Sequence, residues 1–298
     1  MKNKEMFLFT AIIYTSLLLF LGIIGSINYN SDNYHTEEKT SESIIQEDNS
    51  FTFSEGVEIY NSTKYNNQHI AFGNINYKPY LSILNTNKNE IINDYIYNGM
   101  TGNITSIEDR GLYINTTIND NNTESNLDLF LAKNSLVPFH KKQLNINYSK
   151  NTTITPKYLV IHETANTRAG ADANAHYRYW STNASANAST HFVVDSNKIY
   201  QMLELNQMAW HVGDNKGYSD ITNRNSIGIE ICVNSDGEYM VAREYTIDLT
   251  IQIMNELNMS IDQLKNHRDA SGKFDPIIML NNNLWDDFKA QVNLGLNN

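Results

Sequence analysis

The second half of the chain alternates short apolar strands with helical segments, and this alternation restricts its fold more than any other feature. Strand patterns cover residues 158–161, 190–194, 199–203 and 226–233. Helical patterns cover residues 169–180, 239–257 and 283–294. Strands interleaved with helices predict an α/β domain with one mixed central β-sheet flanked by helices.

The N-terminal residues 1–27 predict a membrane segment. An apolar run from Met6 to Ile27 follows two lysines and is about long enough for a transmembrane helix. Positive charge ahead of such a run predicts that the rest of the chain lies outside the cytoplasm. The run exceeds the core of a usual signal peptide, about 7–15 residues, and no Ala-x-Ala cleavage site follows it. A retained anchor is therefore slightly favoured over a cleaved signal, so the protein is expected to be membrane-anchored or secreted.

Two further regions separate this segment from the α/β domain. Residues 28–50 are polar and acidic without an apolar period, which predicts a linker. Residues 51–148 contain short β-type runs between Asn, Asp and Gly turns, which predict a small β-rich region. This region has no cluster of histidines or carboxylates that suggests chemistry, so a spacer and a binding module both remain open. The α/β domain is assigned to residues 150–298.

Charge and cysteine content exclude several kinds of function. Lys and Arg total 22 against 33 Asp and Glu, a formal net charge of −11. An acidic chain repels phosphate backbones, so nucleic acid is not expected as a partner. Cys232 is the one cysteine in the sequence, and its apolar neighbours on a predicted strand disfavour a nucleophilic role. A metal site would therefore be built from histidines and carboxylates.

Three residues of the α/β domain are candidate metal ligands. His162 ends the first apolar strand, His267 lies just beyond the longest predicted helix, and Asp275 follows in the next loop. A catalytic zinc site uses three protein ligands and leaves a fourth position for water. The spacing alone is weak support, because a lone histidine at a strand end is more often a hydrogen-bonded structural residue.

Five motifs in this half of the chain carry a family resemblance. They are YLVIHETAN at 158–166, STHFVVD at 189–195, AWHVG at 209–213, NSIGIEI at 225–231 and HRDASGKFDP at 267–276. In this order they resemble the zinc N-acetylmuramoyl-L-alanine amidases, which include phage endolysins and share their fold with animal peptidoglycan recognition proteins. The resemblance extends from about Lys157 to the C-terminus, roughly half of the chain.

The resemblance implies a role for each matching residue. His162, His267 and Asp275 match the zinc ligands, the last at a position where many members have Cys and others Asp. Glu230 matches the general base, which would accept a proton from the zinc-activated water and pass it to the leaving amine. Lys273 matches a lysine that faces the metal and would help to stabilise the oxyanion.

Two further histidines match positions along the family's cleft, and they and a neighbouring tryptophan are expected to bind substrate. They are His191, His211 and Trp210. For the two histidines a supporting role behind the metal ligands stays open. Trp210 could stack on a sugar or pack in the core.

The resemblance implies zinc-dependent hydrolysis of the amide bond between N-acetylmuramic acid and L-alanine in peptidoglycan. The protein is expected to be a monomer, and its N-terminal segment predicts that it acts outside the cytoplasm. A non-catalytic peptidoglycan receptor of the same fold is one alternative, and a hydrolase of small muropeptides is another. All three ligand positions hold competent residues, and Glu230 and Lys273 are also present, which favours the enzyme. The sequence predicts neither the stem-peptide specificity nor the cellular occasion.

Overall fold

The computed structural model describes residues 51–65, 68–88, 90–97, 99–213 and 217–297 of the 298-residue chain. The predicted membrane segment (1–27) and linker (28–50) lie outside these ranges. Within the described ranges, no helix combines the length and the apolar character that crossing a membrane requires.

The first part of the described chain is built of strands, in agreement with its turn-rich sequence pattern. They are β1 (Val57–Tyr65), β2 (Gln68–Ile75), β3 (Lys78–Asn85), β4 (Glu90–Ile96), β5 (Asn103–Asp109), β6 (Ile114–Asp120), β7 (Thr123–Ala132), β8 (Ser135–Lys141) and β9 (Ser149–Thr153). Strands β1–β4 and β5–β8 each pair antiparallel with their sequence neighbours. One buried apolar cluster joins the two sets, with Ile70 and Leu81 from the first and Ile114 and Leu129 from the second.

The second part has the alternation that its sequence predicts. Its elements are β10 (Tyr158–Glu163), α1 (Ala173–Thr182), β11 (Phe192–Val194), β12 (Ile199–Gln201), β13 (Gln207–Met208), β14 (Ser226–Ile231), α2 (Tyr239–Glu256), a 3-10 helix (Ile261–Gln263), β15 (Leu264–Asn266), α3 (His267–Ser271), α4 (Ile277–Asn281) and α5 (Trp285–Leu296). Strand β10 pairs in parallel with β14 and β15, whereas β11 pairs antiparallel with β12. The predicted mixed sheet with flanking helices is confirmed.

Helix α1 begins later than the sequence pattern predicts. The predicted helix starts at Ala169, but the helix starts at Ala173, because Asp172 caps it by accepting a hydrogen bond from the backbone N–H of Ala175. An aspartate in this position satisfies an amide that would otherwise lack a partner within the helix.

One sheet continues across the domain boundary predicted near residues 148–150. Its strand order is β15-β10-β14-β11-β12-β8-β7-β6-β5. The junction is the parallel pairing of β12 with β8, in which Ile199 lies opposite Phe139. Phe130 and Phe139 are buried in the same apolar cluster as Ile253 of α2. The division into two domains remains a prediction, while a shared sheet and a shared core join the two parts.

The parallel pairing of β10 with β14 brings chemically active side chains together. Leu159 and Ile161 of β10 lie in the core cluster beneath α2, so the alternation of the strand directs His162 to the opposite face. Ile229 of β14 faces the same core, and its neighbour Glu230 therefore shares the face of His162. Since His162 and Glu230 are partners in the β10–β14 register, they lie side by side at one end of the sheet.

Candidate active site

Three side chains meet at the C-terminal end of β10. His162 Nδ1 lies 2.9 Å from His267 Nδ1 and 3.4 Å from Asp275 Oδ2, and His267 Nδ1 lies 3.0 Å from the same oxygen. All three residues are buried. Ligands placed tetrahedrally at about 2.0–2.2 Å from a zinc-sized ion stand about 3.3–3.6 Å apart. The three ligand atoms therefore need to move only slightly further apart to hold a metal cation between them.

Asp275 reaches the cluster because the chain turns sharply after α3. The turn is made by Gly272, whose φ of 78° lies in the left-handed region that glycine adopts without strain. Beyond the turn, the backbone N–H of Glu163 donates to Asp275 Oδ1 at 3.0 Å. The backbone N–H of Arg268 donates to the carbonyl oxygen of Asp275 at 3.2 Å. These bonds hold the ligand-bearing loop against the end of β10.

The charges in the cluster suit a divalent cation. Burial lowers the pKa of His162 to about 4, against the opposing effect of its hydrogen bond with Asp275. Burial also disfavours the charged form of Asp275, but hydrogen bonds from His162, His267 and the Glu163 amide outweigh it and hold the pKa of Asp275 well below its usual range. A neutral imidazole therefore lies beside an ionised carboxylate, as metal binding requires.

His211 contacts His162 on the side away from this cluster. Its Nδ1 lies 3.0 Å from His162 Nε2, and its Nε2 lies 3.3 Å from the carbonyl oxygen of Ser226. Gly228 leaves room for the ring, because a Cβ atom there would approach His211 Nδ1 to 2.7 Å. The predicted substrate-binding residue His211 is thus buried behind a candidate ligand.

His191 does not have the surroundings of a substrate-binding residue. It is fully buried, its Nε2 lies 2.9 Å from the carbonyl oxygen of Gln207, and its Nδ1 accepts from the backbone N–H of Gly228 at 3.1 Å. Because backbone groups occupy both ring nitrogens, its surroundings favour the supporting role that the sequence left open. Trp210 is partly exposed, and its indole N–H donates to Ser149 Oγ at 3.0 Å, which holds the ring against β9.

Glu230 and Lys273 flank the cluster. Lys273 Nζ donates to Asp275 Oδ2 at 3.3 Å, and its side chain remains 60% exposed. The Oε2 atom of Glu230 is buried and finds no hydrogen-bond partner in the part of the chain that is described. Burial raises the pKa of Glu230 to about 8, Asp275 adds to this rise, and Lys273 opposes it. A carboxyl group with an unused oxygen and a raised pKa is suited to proton transfer.

Glu163 is absent from the predicted site residues, yet it is buried next to His162. Its carboxylate accepts hydrogen bonds from the hydroxyl of Tyr239 and from the backbone N–H groups of Ile278 and Met279. One feature of the sequence pointed to a role for Glu163: it is a carboxylate at the end of an apolar strand. A buried charge in such a place needs hydrogen-bond donors around it.

Comparison with known proteins gives this arrangement a family. A sequence profile described as N-acetylmuramoyl-L-alanine amidase matches residues 152–277, a stretch that contains all five residues of the cluster and its flanks. The solved catalytic domain of XlyA is 40% identical, and the match covers 52% of this chain and 99% of that domain with a TM-score of 0.48. Residues 152–277 of the chain belong to the N-acetylmuramoyl-L-alanine amidase family.

Other members of the amidase family match the same half of the chain. XlyA of Bacillus subtilis (strain 168) is 44% identical over 142 residues, which are 48% of this chain and 46% of XlyA. CwlH of the same organism is 38% identical over 135 residues, or 45% of this chain and 52% of CwlH. A solved mutant endolysin from Bacillus subtilis is 41% identical, with 52% of this chain and 99% of the endolysin covered and a TM-score of 0.48. The chain spans about half the length of the curated relatives it matches.

Proposed function

We propose that the chain is a zinc-dependent amidase that hydrolyses the bond between N-acetylmuramic acid and L-alanine in peptidoglycan. The observation that carries the proposal is the buried set of His162, His267 and Asp275, whose ligand atoms approach within 3.4 Å of one another. Membership of the family and the activity in the names of its relatives support this substrate.

His162, His267 and Asp275 would hold the zinc ion. Two imidazoles and one carboxylate are ligand types that catalytic zinc sites use, and three protein ligands leave one position for water or substrate. When bound, zinc lowers the pKa of water to about 7 and polarises a carbonyl oxygen. The hydrogen bonds of Asp275 with the Glu163 amide and with Lys273 hold its carboxylate in one orientation for this role.

Glu230 is the general base and then the general acid. It takes a proton from the attacking water and delivers it to the nitrogen of L-alanine when the carbon–nitrogen bond breaks, leaving a free amine and a carboxylate on the sugar's lactyl group. Two observations support this role: its position beside His162 in the sheet register, and its buried, unused Oε2 atom. Burial raises the pKa of Glu230, which favours retention of the proton between the two transfers.

Lys273 and Trp210 act on the substrate. The ammonium of Lys273, exposed next to Asp275, stabilises negative charge that develops on the carbonyl oxygen. Trp210 is partly exposed beside His211, and its ring offers a face on which a sugar can stack. His191 and His211 support the site from behind. Because a binding-only protein needs neither Glu230 nor Lys273, their presence favours catalysis over a receptor function. Peptidoglycan lies outside the cytoplasm, so we infer that the enzyme acts there.

The test uses the full-length protein and purified cell wall. We expect new L-alanine amino termini without new reducing sugar ends, loss of this release when a chelator removes zinc, and recovery when zinc is returned. Mass analysis of products from defined muropeptides would identify the broken bond and separate polymeric from small substrates. Release of reducing ends, or amide cleavage that persists in Asp275→Ala without bound zinc, would contradict the proposal.

A further inference from the structure

Glu163 lies at the end of β10, next to the loop that carries Asp275. It is the last residue of β10, directly after His162, and successive strand residues point to opposite faces. His162 therefore points into the metal cluster, while the Glu163 side chain points to the face covered by α2. Tyr239, the first residue of α2, donates its hydroxyl to Glu163 Oε1 at 2.6 Å.

The same carboxylate binds the chain just beyond Asp275. Glu163 Oε1 accepts from the backbone N–H of Met279 at 3.1 Å, and Oε2 accepts from that of Ile278 at 2.6 Å. These amides belong to the first turn of α4, where helix N–H groups lack partners within the helix. Glu163 also donates its own backbone N–H to Asp275 Oδ1 at 3.0 Å.

The segment from Asp275 to Met279 thus passes around the end of β10. It is hydrogen-bonded to Glu163 on both faces of the sheet. On one face the Glu163 amide orients the carboxylate that completes the cluster. On the other face the Glu163 side chain fixes the chain three residues further on. We infer that Glu163 is a positioning residue for the third metal ligand, an inference that rests on the metal site of the proposed function.

The side chain at this position has to be a carboxylate for the arrangement to hold. Three hydrogen-bond donors surround the Glu163 carboxylate, and a buried anion is tolerated when such donors surround it. A glutamine would direct its own N–H₂ group at the Ile278 or Met279 amide, so one contact would become a repulsion between donors. The start of α4 would then move, and Asp275 would move with it.

Asp195 offers a matched control elsewhere in the same domain. It is also buried, its Oδ1 accepts from the backbone N–H groups of Asn197 and Lys198, and its Oδ2 accepts from that of Ala173. Both carboxylates therefore accept two hydrogen bonds on one oxygen and one on the other. Asp195→Asn should cost stability by the same mechanism as Glu163→Gln, but it touches no residue of the metal cluster.

The experiment compares full-length wild type, Glu163→Gln, Asp195→Asn and Tyr239→Phe in three measurements. These are zinc affinity by competition with a chelator, the visible absorption spectrum of the Co²⁺-loaded protein, and the unfolding temperature of the metal-free protein. We expect Glu163→Gln to weaken zinc binding at least about tenfold, in the range seen for residues that orient ligands, and to alter the Co²⁺ spectrum. Asp195→Asn should lower the unfolding temperature and leave both metal measurements unchanged.

Tyr239→Phe removes one of the three hydrogen bonds to Glu163 and keeps its charge, so it should show a smaller change in the same direction. It also decides the question if Glu163→Gln does not fold. The inference is overturned if the folded Glu163 or Tyr239 variants bind zinc and Co²⁺ as wild type does. Failure of the wild type itself to bind zinc would instead overturn the proposed function, so the two failures are distinct.

Discussion

His162 Nε2 lies 3.0 Å from His211 Nδ1, on the ring edge that faces away from His267 and Asp275. The carbonyl oxygen of Ser226 can only accept a hydrogen bond, so the Nε2 atom of His211 next to it carries the hydrogen. Burial lowers the pKa of His211 well below its usual value, which leaves Nδ1 unprotonated as an acceptor. When a cation occupies the cluster, His162 would therefore donate through Nε2 and offer its Nδ1 lone pair to the metal.

His211→Ala removes this acceptor and leaves the Nε2–H of His162 buried without its partner. We expect zinc affinity to fall about 10–100-fold, because groups that orient a metal-binding histidine typically contribute this much. Chelator competition measures the change. His176→Ala serves as the control, since His176 is a buried histidine on α1 and contacts Trp180 instead of the cluster. Equal zinc affinity in the two variants would show that the His162–His211 bond does not orient the ligand.

Glu230→Gln tests proton transfer separately from metal binding. The substitution keeps the shape of the side chain but removes its ability to take a proton, so the hydrolysis rate should fall about 10²–10⁴-fold. Zinc affinity should stay within a few-fold of wild type, because Glu230 is outside the ligand set. Hydrolysis at the wild-type rate by a zinc-loaded Glu230→Gln protein would remove Glu230 from the mechanism.

Much of this fold follows from local sequence pattern, whereas its largest sheet does not. The apolar pattern of residues 226–233 predicted β14, in which Ile227, Ile229 and Ile231 face the core and leave Glu230 on the opposite face. The pairing of β8 with β12 left no local signal, because it joins segments that are distant in the sequence through only three residue pairs. Periodicity reports which side of a strand is buried but not which strand lies next to it.

The site divides in the same way. His162, His267 and Asp275 were assigned through motifs, and the structure brings their ligand atoms together. The motifs also matched His191, but only the folded chain shows that backbone groups occupy both of its ring nitrogens. The role of Glu163 could not be predicted from the sequence, because its hydrogen-bond partners come from α2 and α4, which approach it only after folding.

Removal of the metal should destabilise the protein. Without a cation, two imidazole nitrogens of the buried cluster face each other at 2.9 Å, and their lone pairs repel unless one nitrogen binds a proton. With free zinc at about 100 times its dissociation constant, binding adds about 2.7 kcal/mol to the free energy of unfolding. Thermal unfolding with and without a chelator measures this difference. In Asp275→Ala the difference between unfolding with and without chelator should be smaller. If this variant shows the same difference as wild type, the stabilising metal binds elsewhere.

Phe139→Ala tests whether the two parts of the chain fold together. Phe139 is 1% exposed, stacks on Tyr113 with ring centroids 4.8 Å apart, and lies opposite Ile199 of the amidase half. Loss of a buried phenylalanine should lower the free energy of unfolding by about 3–5 kcal/mol. The loss should appear in the unfolding of the amidase half, followed through zinc release or activity. Ile96→Ala is the control: Ile96 is 43% exposed, so its truncation should change the free energy of unfolding little. An amidase half that unfolds as in wild type would show that it is independent of β8.

Asp248 of α2 should make stability fall as the pH rises. Burial raises the pKa of this carboxyl group to about 6, and Glu244 adds to the rise while Lys133 opposes it. Because its pKa is higher in the folded than in the unfolded chain, the folded state binds the extra proton, and its stability declines between about pH 4 and pH 6. Asp248→Asn removes the charge and should stabilise the protein at pH 7 by about 1–2 kcal/mol, allowing for screening of a partly exposed group. Denaturant unfolding at pH 4 and pH 7 measures this, and the gain should nearly vanish at pH 4. A gain of equal size at both pH values would mean that the amide acts through packing and not through the lost charge.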